Sequence, residues 1–327
     1  MASMPALYAS HNSCQTFNPE VGAMPFPGYR LLRLRGRGGF ATVWESTTPT
    51  GERVALKFMS SAAAGTTSRE VRSLQAVKSL SHPSLLPIRQ VWSIPGCIVI
   101  AMDLAEASLL DLFELYLEEL GTFIEFPKLS LHLHTVAESL DFLNARRHRI
   151  DGRLVGLQHG DIKPNNILLV NDRPMLADYG LATPTSGTHT PCPRHGTAEY
   201  CPPEVFQGYL SDRSDQFSLA VTYHVLRTGL FPFPKPPGVG EALRNYVRPE
   251  ANLSALSAVE KPIVARAMHA IPQNRYATCL EFMNALLRVN GLQVNRDDEG
   301  ITTTAPYRGD HVEPPKSQLF RLSECQK

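Results

Sequence analysis

The sequence predicts an α+β fold in two lobes, a small antiparallel sheet with one helix followed by a larger, mainly helical lobe. Three observations point there. Short alternating runs of apolar and polar residues, punctuated by turn residues, fill most of the stretch from Tyr29 to Met102. One apolar stripe at helical spacing (Val71, Leu74, Val77, Leu80) interrupts them. After Ala107 the period becomes that of long amphipathic helices. With 327 residues, 43% of them hydrophobic, the chain can bury the core that one large domain or two lobes require.

Within the first lobe, "YRLLRLRG", "ATVWES" and "RVALKFM" read as strands, with Thr48 to Glu52 as the tight turn between the second and third. The helix covers "TSREVRSLQAVKSL", and strands are expected around Val91 and from Cys97 to Met102. In the second lobe, helices are predicted at Leu109–Leu120, Leu129–Leu143, Asp215–Arg227, Glu241–Tyr246, Ala258–Met268 and Thr278–Val289. Residues 1–26 lack periodicity and read as a flexible leader, and 291–327 as a disordered tail. The prolines from Pro232 to Pro237 shape a loop, and there is no internal repeat.

Composition removes several classes of function. The 32 basic and 31 acidic residues nearly cancel, so neither a nucleic-acid nor a membrane-surface partner is indicated. The cluster Arg146-Arg147-His148-Arg149 reads as a solvated loop. Cys14, Cys97, Cys192, Cys201, Cys279 and Cys325 form no C-x-x-C pair and no zinc spacing, which suits reduced thiols in a cytoplasmic protein. A redox link between Cys192 and Cys201 is the alternative. The N-terminus lacks the pattern of a secretion signal, and the apolar stretch Cys97–Leu120 is broken by Asp103, Glu106, Asp111 and Glu114, so no membrane span is expected.

Several motifs carry chemistry. In "LRGRGGFATVW" the pattern is Gly36-x-Gly38-x-x-Ala41-x-Val43, a glycine-rich turn between strands whose backbone N–H groups can approach phosphate oxygens. A plain hairpin turn explains it equally well by itself. Lys57, central in the apolar strand "VALKF", needs an anionic partner if buried. Glu70 on the following helix is the natural one, and an edge strand with Lys57 in water is the alternative. In "QHGDIKPNNILLV" and "LADYGLA", Asp161, Asn166 and Asp178 bracket a short hairpin and form a hard-oxygen cluster suited to Mg²⁺.

Taken in order, these motifs, with "GTAEYCPPE" and "SDQFSLA" after them, resemble the eukaryotic-type (Hanks-type) serine/threonine protein kinases over residues 29 to 288. Bacterial members with an HGD loop are the most similar. The resemblance implies a bilobal protein-kinase fold in residues 27–290, with an N-lobe of 27–104 and a C-lobe of 105–290. It implies ATP and Mg²⁺ as cofactors and a protein substrate with a serine or threonine acceptor. Asp161 would accept or orient the hydroxyl proton, and Lys163 would steady the γ-phosphate. Lys57, fixed by Glu70, would hold the α- and β-phosphates, with Mg²⁺ on Asn166 and Asp178. Gly36 and Gly38 would cover the phosphates. Val43, Ala55 and Leu168 would sandwich adenine, the backbone of Asp103 and Ala105 would meet its edge, and Met102 would guard the rear pocket. Tyr179 and Gly180 follow the metal-binding aspartate. Thr197 would bridge Asp161 and Lys163, Glu204 would pair with Arg275, and Asp215 would brace the catalytic-loop backbone.

Two other classes share parts of this pattern. A small-molecule phosphotransferase of the aminoglycoside or choline type commonly reads H-G-D here, but Lys163-Pro164, the "GTAEYCPPE" segment, Asp215 and Arg275 favour the protein kinases. A pseudokinase predicts lost catalytic residues, and Lys57, Glu70, Asp161, Asn166 and Asp178 are all present. Gly160 stands where H-R-D kinases carry the arginine that pairs with a phosphorylated activation segment. Activity that does not depend strongly on activation-segment phosphorylation is therefore expected, although Thr183, Thr185, Ser186, Thr188 and Thr190 remain available for autophosphorylation. The stretch Asn144–Gln158 is longer than usual and reads as an added surface loop. Tyr179, in place of phenylalanine, brings a hydroxyl that needs a partner.

Overall fold

The computed structural model describes residues 19–38, 41–60, 77–78, 80–94, 96–150, 152–185, 187, 189–192, 196–238, 246–295 and 300–303. They fall into two compact units, and the chain passes between them at Thr67/Ser68, Pro87/Ile88 and Leu104/Ala105.

The first unit is an antiparallel sheet of β1 (Arg30–Arg37), β2 (Ala41–Thr47), β3 (Arg53–Ser60), β4 (Ile88–Ile94) and β5 (Cys97–Asp103), in the order β1-β2-β3-β5-β4. Strand β3 is thus central, which removes the edge-strand reading of Lys57. Residues directly opposite one another share a face. Val43 lies opposite Lys57, and Lys57 opposite Ile100. Glu45 lies opposite Ala55, and Ala55 opposite Met102. These six therefore line one side. The other side is the core, built from Leu31, Trp44, Val54, Leu56, Phe58, Val99 and Ala101.

That core is capped by residues expected to be a flexible leader. The amide of Gly22 donates to the Leu31 carbonyl (2.8 Å), and Leu31 donates back to Ala23 (2.9 Å). The Phe26 ring stacks on Trp92 at 4.0 Å, and Tyr29 meets Trp92 edge-on. Burying these aromatic rings outweighs the entropy of the small polar residues around them. Of the leader, residues 1–18 lie outside the described residues.

The second unit is mainly helical. Strand β6 (Ala107–Ser108) leads into α1 (Leu109–Leu120). That helix starts at a reciprocal cap: the Ser108 hydroxyl accepts from the Asp111 amide, and the Asp111 carboxylate accepts from the Ser108 amide. Helix α2 (Phe126–Asn144) follows. Residues 84–86, expected in the first lobe, belong here: Leu86 donates to the Leu176 carbonyl and Leu176 donates to Ser84. The expected helix at 67–80 lies almost wholly outside the described residues, as does most of that at 241–246.

Asn144–Gln158 is not a plain loop. It forms the hairpin β7 (His148–Ile150) and β8 (Arg153–Gln158). His148, placed in a solvated cluster by sequence, is buried there beside the Phe142 carbonyl (2.8 Å), while Arg146 and Arg147 stay exposed. Strands β9 (Ile167–Val170) and β10 (Arg173–Leu176) form the short hairpin between Asp161 and Asp178. Further on, β11 (Thr183–Thr185) pairs with β8, and β12 (Thr190–Pro191) with β13 (Tyr209–Leu210), which follows the one-turn α3 (Pro203–Phe206).

Helix α4 (Ser214–Thr228) is buried along its whole length and forms the axis of this unit. Helix α5 covers Lys261–Ala267 rather than 258–268, with Pro262 in its first turn. Helix α6 (Cys279–Val289) is capped by Thr278 and by the half-buried carboxylate of Asp141, which accepts from the amides of Cys279 (2.8 Å) and Leu280 (3.0 Å). The expected disordered tail begins instead with a hairpin of β14 (Leu292–Asn295) and β15 (Gly300–Thr303), and Leu292 is buried. Residues 304–327 lie outside the described residues. Cys97, Cys192, Cys201 and Cys279 are free thiols, so Cys192 and Cys201 are not linked. No helix among the described residues is long and apolar enough to cross a membrane.

The stacked cap gives a direct test of the leader. Phe26→Ala should lower the stability of the first unit by about 1–2 kcal/mol, read as an earlier unfolding transition in a thermal melt. A flexible leader would leave the melt unchanged.

Candidate phosphoryl-transfer site

In the first unit the candidate groups share one sheet face. Lys57 and Val43 are half-buried, Ala55 is buried, and Met102 lies at the end of β5. Gly36 lies in β1 opposite Val43, and Gly38 directly follows that strand, its amide donating to the Ala41 carbonyl (2.8 Å). The space a side chain would occupy at either glycine holds no close neighbour. The carboxylate of Asp103 pairs with Arg89, which leaves the role assigned to its backbone untouched. Glu70 lies outside the described residues.

In the second unit the candidate groups converge on the loop between β8 and β9. The carboxylate of Asp161 accepts from both the amide (2.9 Å) and the hydroxyl (2.8 Å) of Thr197 through Oδ1. Its Oδ2 faces Lys163 Nζ at 3.0 Å and accepts from Asn166 Nδ2 at 2.9 Å. Lys163 also donates to the Thr197 hydroxyl (2.6 Å), which closes a ring of three groups. Burial pushes the Asp161 pKa up, but the Lys163 charge and the Thr197 hydrogen bonds outweigh it and hold the carboxyl below its ordinary value. Asp161 is therefore an ionised acceptor, oriented from three sides.

Asn166 sits in a one-turn 3-10 helix (Pro164–Asn166), where Pro164 suits the first turn. Its amide nitrogen also donates to the Asp161 carbonyl (2.7 Å), so Oδ1 is the oxygen left for a ligand. The Asn166 carbonyl accepts from the Ala177 amide (2.9 Å), which ties it to the residue before Asp178. Asp178 adopts a left-handed backbone (φ 65°), a conformation few non-glycine residues take. A carboxylate and an amide oxygen tied to adjacent backbone fit Mg²⁺, which completes its shell with water and phosphate oxygens. Leu168, half-buried on β9, pairs with Met175 and Ser108. Ala105 is the first residue of this unit after the crossing at Leu104.

The framework behind this loop is polar and satisfied. Asp215, buried at the start of α4, accepts from the amides of His159 (2.6 Å) and Gly160 (2.9 Å). Gly160 has φ 80°, where a side chain would be strained. Gly196 also has positive φ, and a side chain there would meet the Gly160 carbonyl at 2.6 Å. The segment carrying Thr197 can therefore lie directly on the loop. Tyr179 and Gly180, in the turn after Asp178, are buried, and the Tyr179 hydroxyl donates to the Leu176 carbonyl. Glu204 and Arg275 form a buried bidentate pair (2.7 Å each). The hydroxyls of Ser211 and Ser214 complete the carboxylate's shell, and Arg275 also reaches the carbonyls of Arg213 and His269.

Three supporting residues escaped the reading of the sequence. His159 holds the Ala177 carbonyl through Nε2 (2.8 Å) and packs edge-on against Tyr179. Gln158 receives the Asp215 amide (3.0 Å) and donates to Asn144 (2.9 Å). Asn144 in turn reaches the Asp212 carbonyl. His159, the first letter of H-G-D, carried a motif signal. Gln158 and Asn144 carried none, because their partners are distant in sequence.

The Glu204–Arg275 pair sets a stability test. Arg275→Ala should cost about 3–5 kcal/mol, because it leaves a buried carboxylate without its counter-charge. Chemical denaturation measures this. Adding Glu204→Gln to that variant should recover part of the loss.

The sequence matches the protein kinase domain over residues 29–293. It is 31% identical to the serine/threonine-protein kinase PknF of Mycobacterium tuberculosis, over 93% of this chain and 64% of that protein. It is 29% identical to PknH of the same species, over 79% of this chain and 41% of the relative, and 28% identical to PknE, over 78% and 44%. The chain thus spans roughly two-fifths to two-thirds of the length of these curated relatives. On the match to the family's domain, which covers most of its length, this chain belongs to the protein kinase family.

Proposed function

We propose that this chain is a serine/threonine protein kinase, transferring the γ-phosphate of ATP to a hydroxyl of a protein substrate. The observation that carries the reading is the closed ring of Asp161, Lys163 and Thr197, with Asn166 bonded to the same carboxylate. An ionised carboxylate held from three sides accepts and orients the hydroxyl proton. The Lys163 ammonium neutralises charge on the phosphate as it transfers. Asn166 Oδ1 and the Asp178 carboxylate hold Mg²⁺, which supplies charge neutralisation of the phosphates when bound. Lys57 takes the α- and β-phosphates, with Glu70 as its counter-charge. Gly36 and Gly38 cover the phosphates, while Val43, Ala55, Leu168 and the backbone of Asp103 and Ala105 hold adenine. Met102 closes the rear of that pocket. The free thiols among the described residues suit a cytoplasmic site of action.

Control by activation-segment phosphate is not part of this proposal. Gly160 offers no arginine to receive it, and Thr185 is buried. The segment is held instead by backbone pairing, β11 on β8 and β12 on β13.

Two measurements test the reading. With purified protein, radiolabelled ATP, Mg²⁺ and a generic protein substrate, label should appear on serine or threonine, and Asp161→Asn should lower the rate by about 10² or more. Transfer only to a sugar or to choline would overturn the protein-kinase assignment. Phosphatase-treated protein should retain most of its activity, and loss of nearly all of it would refute the regulatory part.

A further inference from the structure

One face of the first unit's sheet carries a charged cluster beside the residues assigned to adenine. Val43 lies opposite Lys57 and Ile100, and Glu45 lies opposite Ala55 and Met102. These are neighbouring rows on the same face. The row that holds Lys57 is the phosphate side. The row that holds Ala55 and Met102 is the side of the base.

Glu45 is fully buried, and each of its oxygens has a charged donor. Arg33 Nε donates to Oε2 at 2.7 Å, and Arg53 Nη1 donates to Oε1. The side chains of these two arginines are 61% and 60% exposed. A third arginine reaches the same carboxylate. Arg35 Nη1 lies 3.5 Å from Oε2, and its side chain is 28% exposed. Neither oxygen of Glu45 depends on Arg35 for its counter-charge, so the contact serves to place the guanidinium.

The backbone shows how Arg35 comes to this face. Leu34 pairs with Trp44 and Gly36 pairs with Val43, so two steps on β1 match one step on β2. Arg35 is the extra residue of that bulge, and a bulge re-aims the side chain it carries. Trp44 belongs to the core on the other side of the sheet. Contact with Glu45 puts the Arg35 guanidinium on the side of Ala55, next to Gly36 in the chain.

A guanidinium is planar and stacks on aromatic faces, which a lysine ammonium does not do. The flat aromatic part of ATP is its purine, and the row that holds Arg35 in place is the row of the base. We propose that Arg35, steadied by Glu45, covers the adenine of ATP with its guanidinium stacked on the ring. This rests on the protein-kinase reading above. It makes Arg35 a nucleotide-binding residue alongside Val43 and Ala55, and Glu45 a positioning residue that acts through Arg35.

The test measures displacement of the fluorescent nucleotide mant-ADP from the full chain by ATP and by adenosine, which has the base and no phosphate. Thermal melts of each variant establish that it is folded. Arg35→Ala should weaken ATP and adenosine by the same factor, about fivefold. Arg35→Lys, which keeps the charge and loses the plane, should weaken both nearly as much. Glu45→Gln should weaken adenosine in the unaltered chain and have no further effect once Arg35 is alanine. Loss of ATP affinity with adenosine unchanged would place Arg35 on the phosphates and overturn the stacking. Unchanged affinity for both in Arg35→Ala, or full affinity in Arg35→Lys, would overturn it as well. Phosphate transfer to protein with an ATP KM that Arg35→Ala leaves unaltered would overturn the contact and spare the kinase reading. Adenosine binding that depends on Arg35, in a chain that transfers phosphate to no protein, would uphold the contact and overturn the kinase reading.

Discussion

The second unit is organised around one buried carboxylate. Asp215 stands at the start of a helix with no exposed face, so it cannot shift without disturbing the core. It receives the amides of His159 and Gly160, two residues whose backbone would otherwise lie buried and unsatisfied. Burial drives its pKa up, while His159 and the two amides oppose that rise. From this fixed point the rest follows in order. The His159 ring holds Ala177 and packs on Tyr179, and Asn166 binds both Asp161 and Ala177. The strained Asp178 backbone is thus determined by its neighbours, as a left-handed aspartate requires.

A second buried anchor, Glu204 with Arg275, fixes the far end of the segment that begins at Asp178. Between the anchors, backbone hydrogen bonds hold Thr183–Thr185 to β8 and Thr190–Pro191 to β13. Sheet pairing of this kind is made by uncharged backbone groups. The strand that receives β11 belongs to the stretch that reads by length as an inserted loop. Gly160 carries no side chain to hold this segment, and the β7–β8 hairpin pairs with it through backbone.

In the first unit a single division of labour governs the sheet. Its period of two places Trp44, Leu56 and Phe58 on the core side and Val43, Ala55 and Lys57 on the other. The aromatic cap of Phe26, Tyr29 and Trp92 closes the core side. The opposite face carries Lys57, Val43, Ala55 and Met102. Glu45 on that face is buried yet satisfied by Arg33, Arg35 and Arg53, all from strands β1 and β3 that flank β2.

The sequence alone determined the strands of the first unit, most helices of the second, and the set Asp161, Lys163, Asn166, Thr197, Glu204, Asp215 and Arg275. Periodicity is a local property, and these motifs keep close spacing, so both are legible along the chain. Pieces whose stability depends on remote partners were not. The 148–158 hairpin draws its order from β11, the segment before Tyr29 from Trp92, and the start of the tail from the 292–303 hairpin and the burial of Leu292. Gln158 and Asn144 acquire their roles only because folding carries Asp212 and Asp215 to them. Arg248, one arginine among many in the sequence, is buried only because four rings close around it. Spacing can name the groups that act on a phosphate. Which buried groups are satisfied, and which still need a partner, is decided by contacts between residues far apart in the chain.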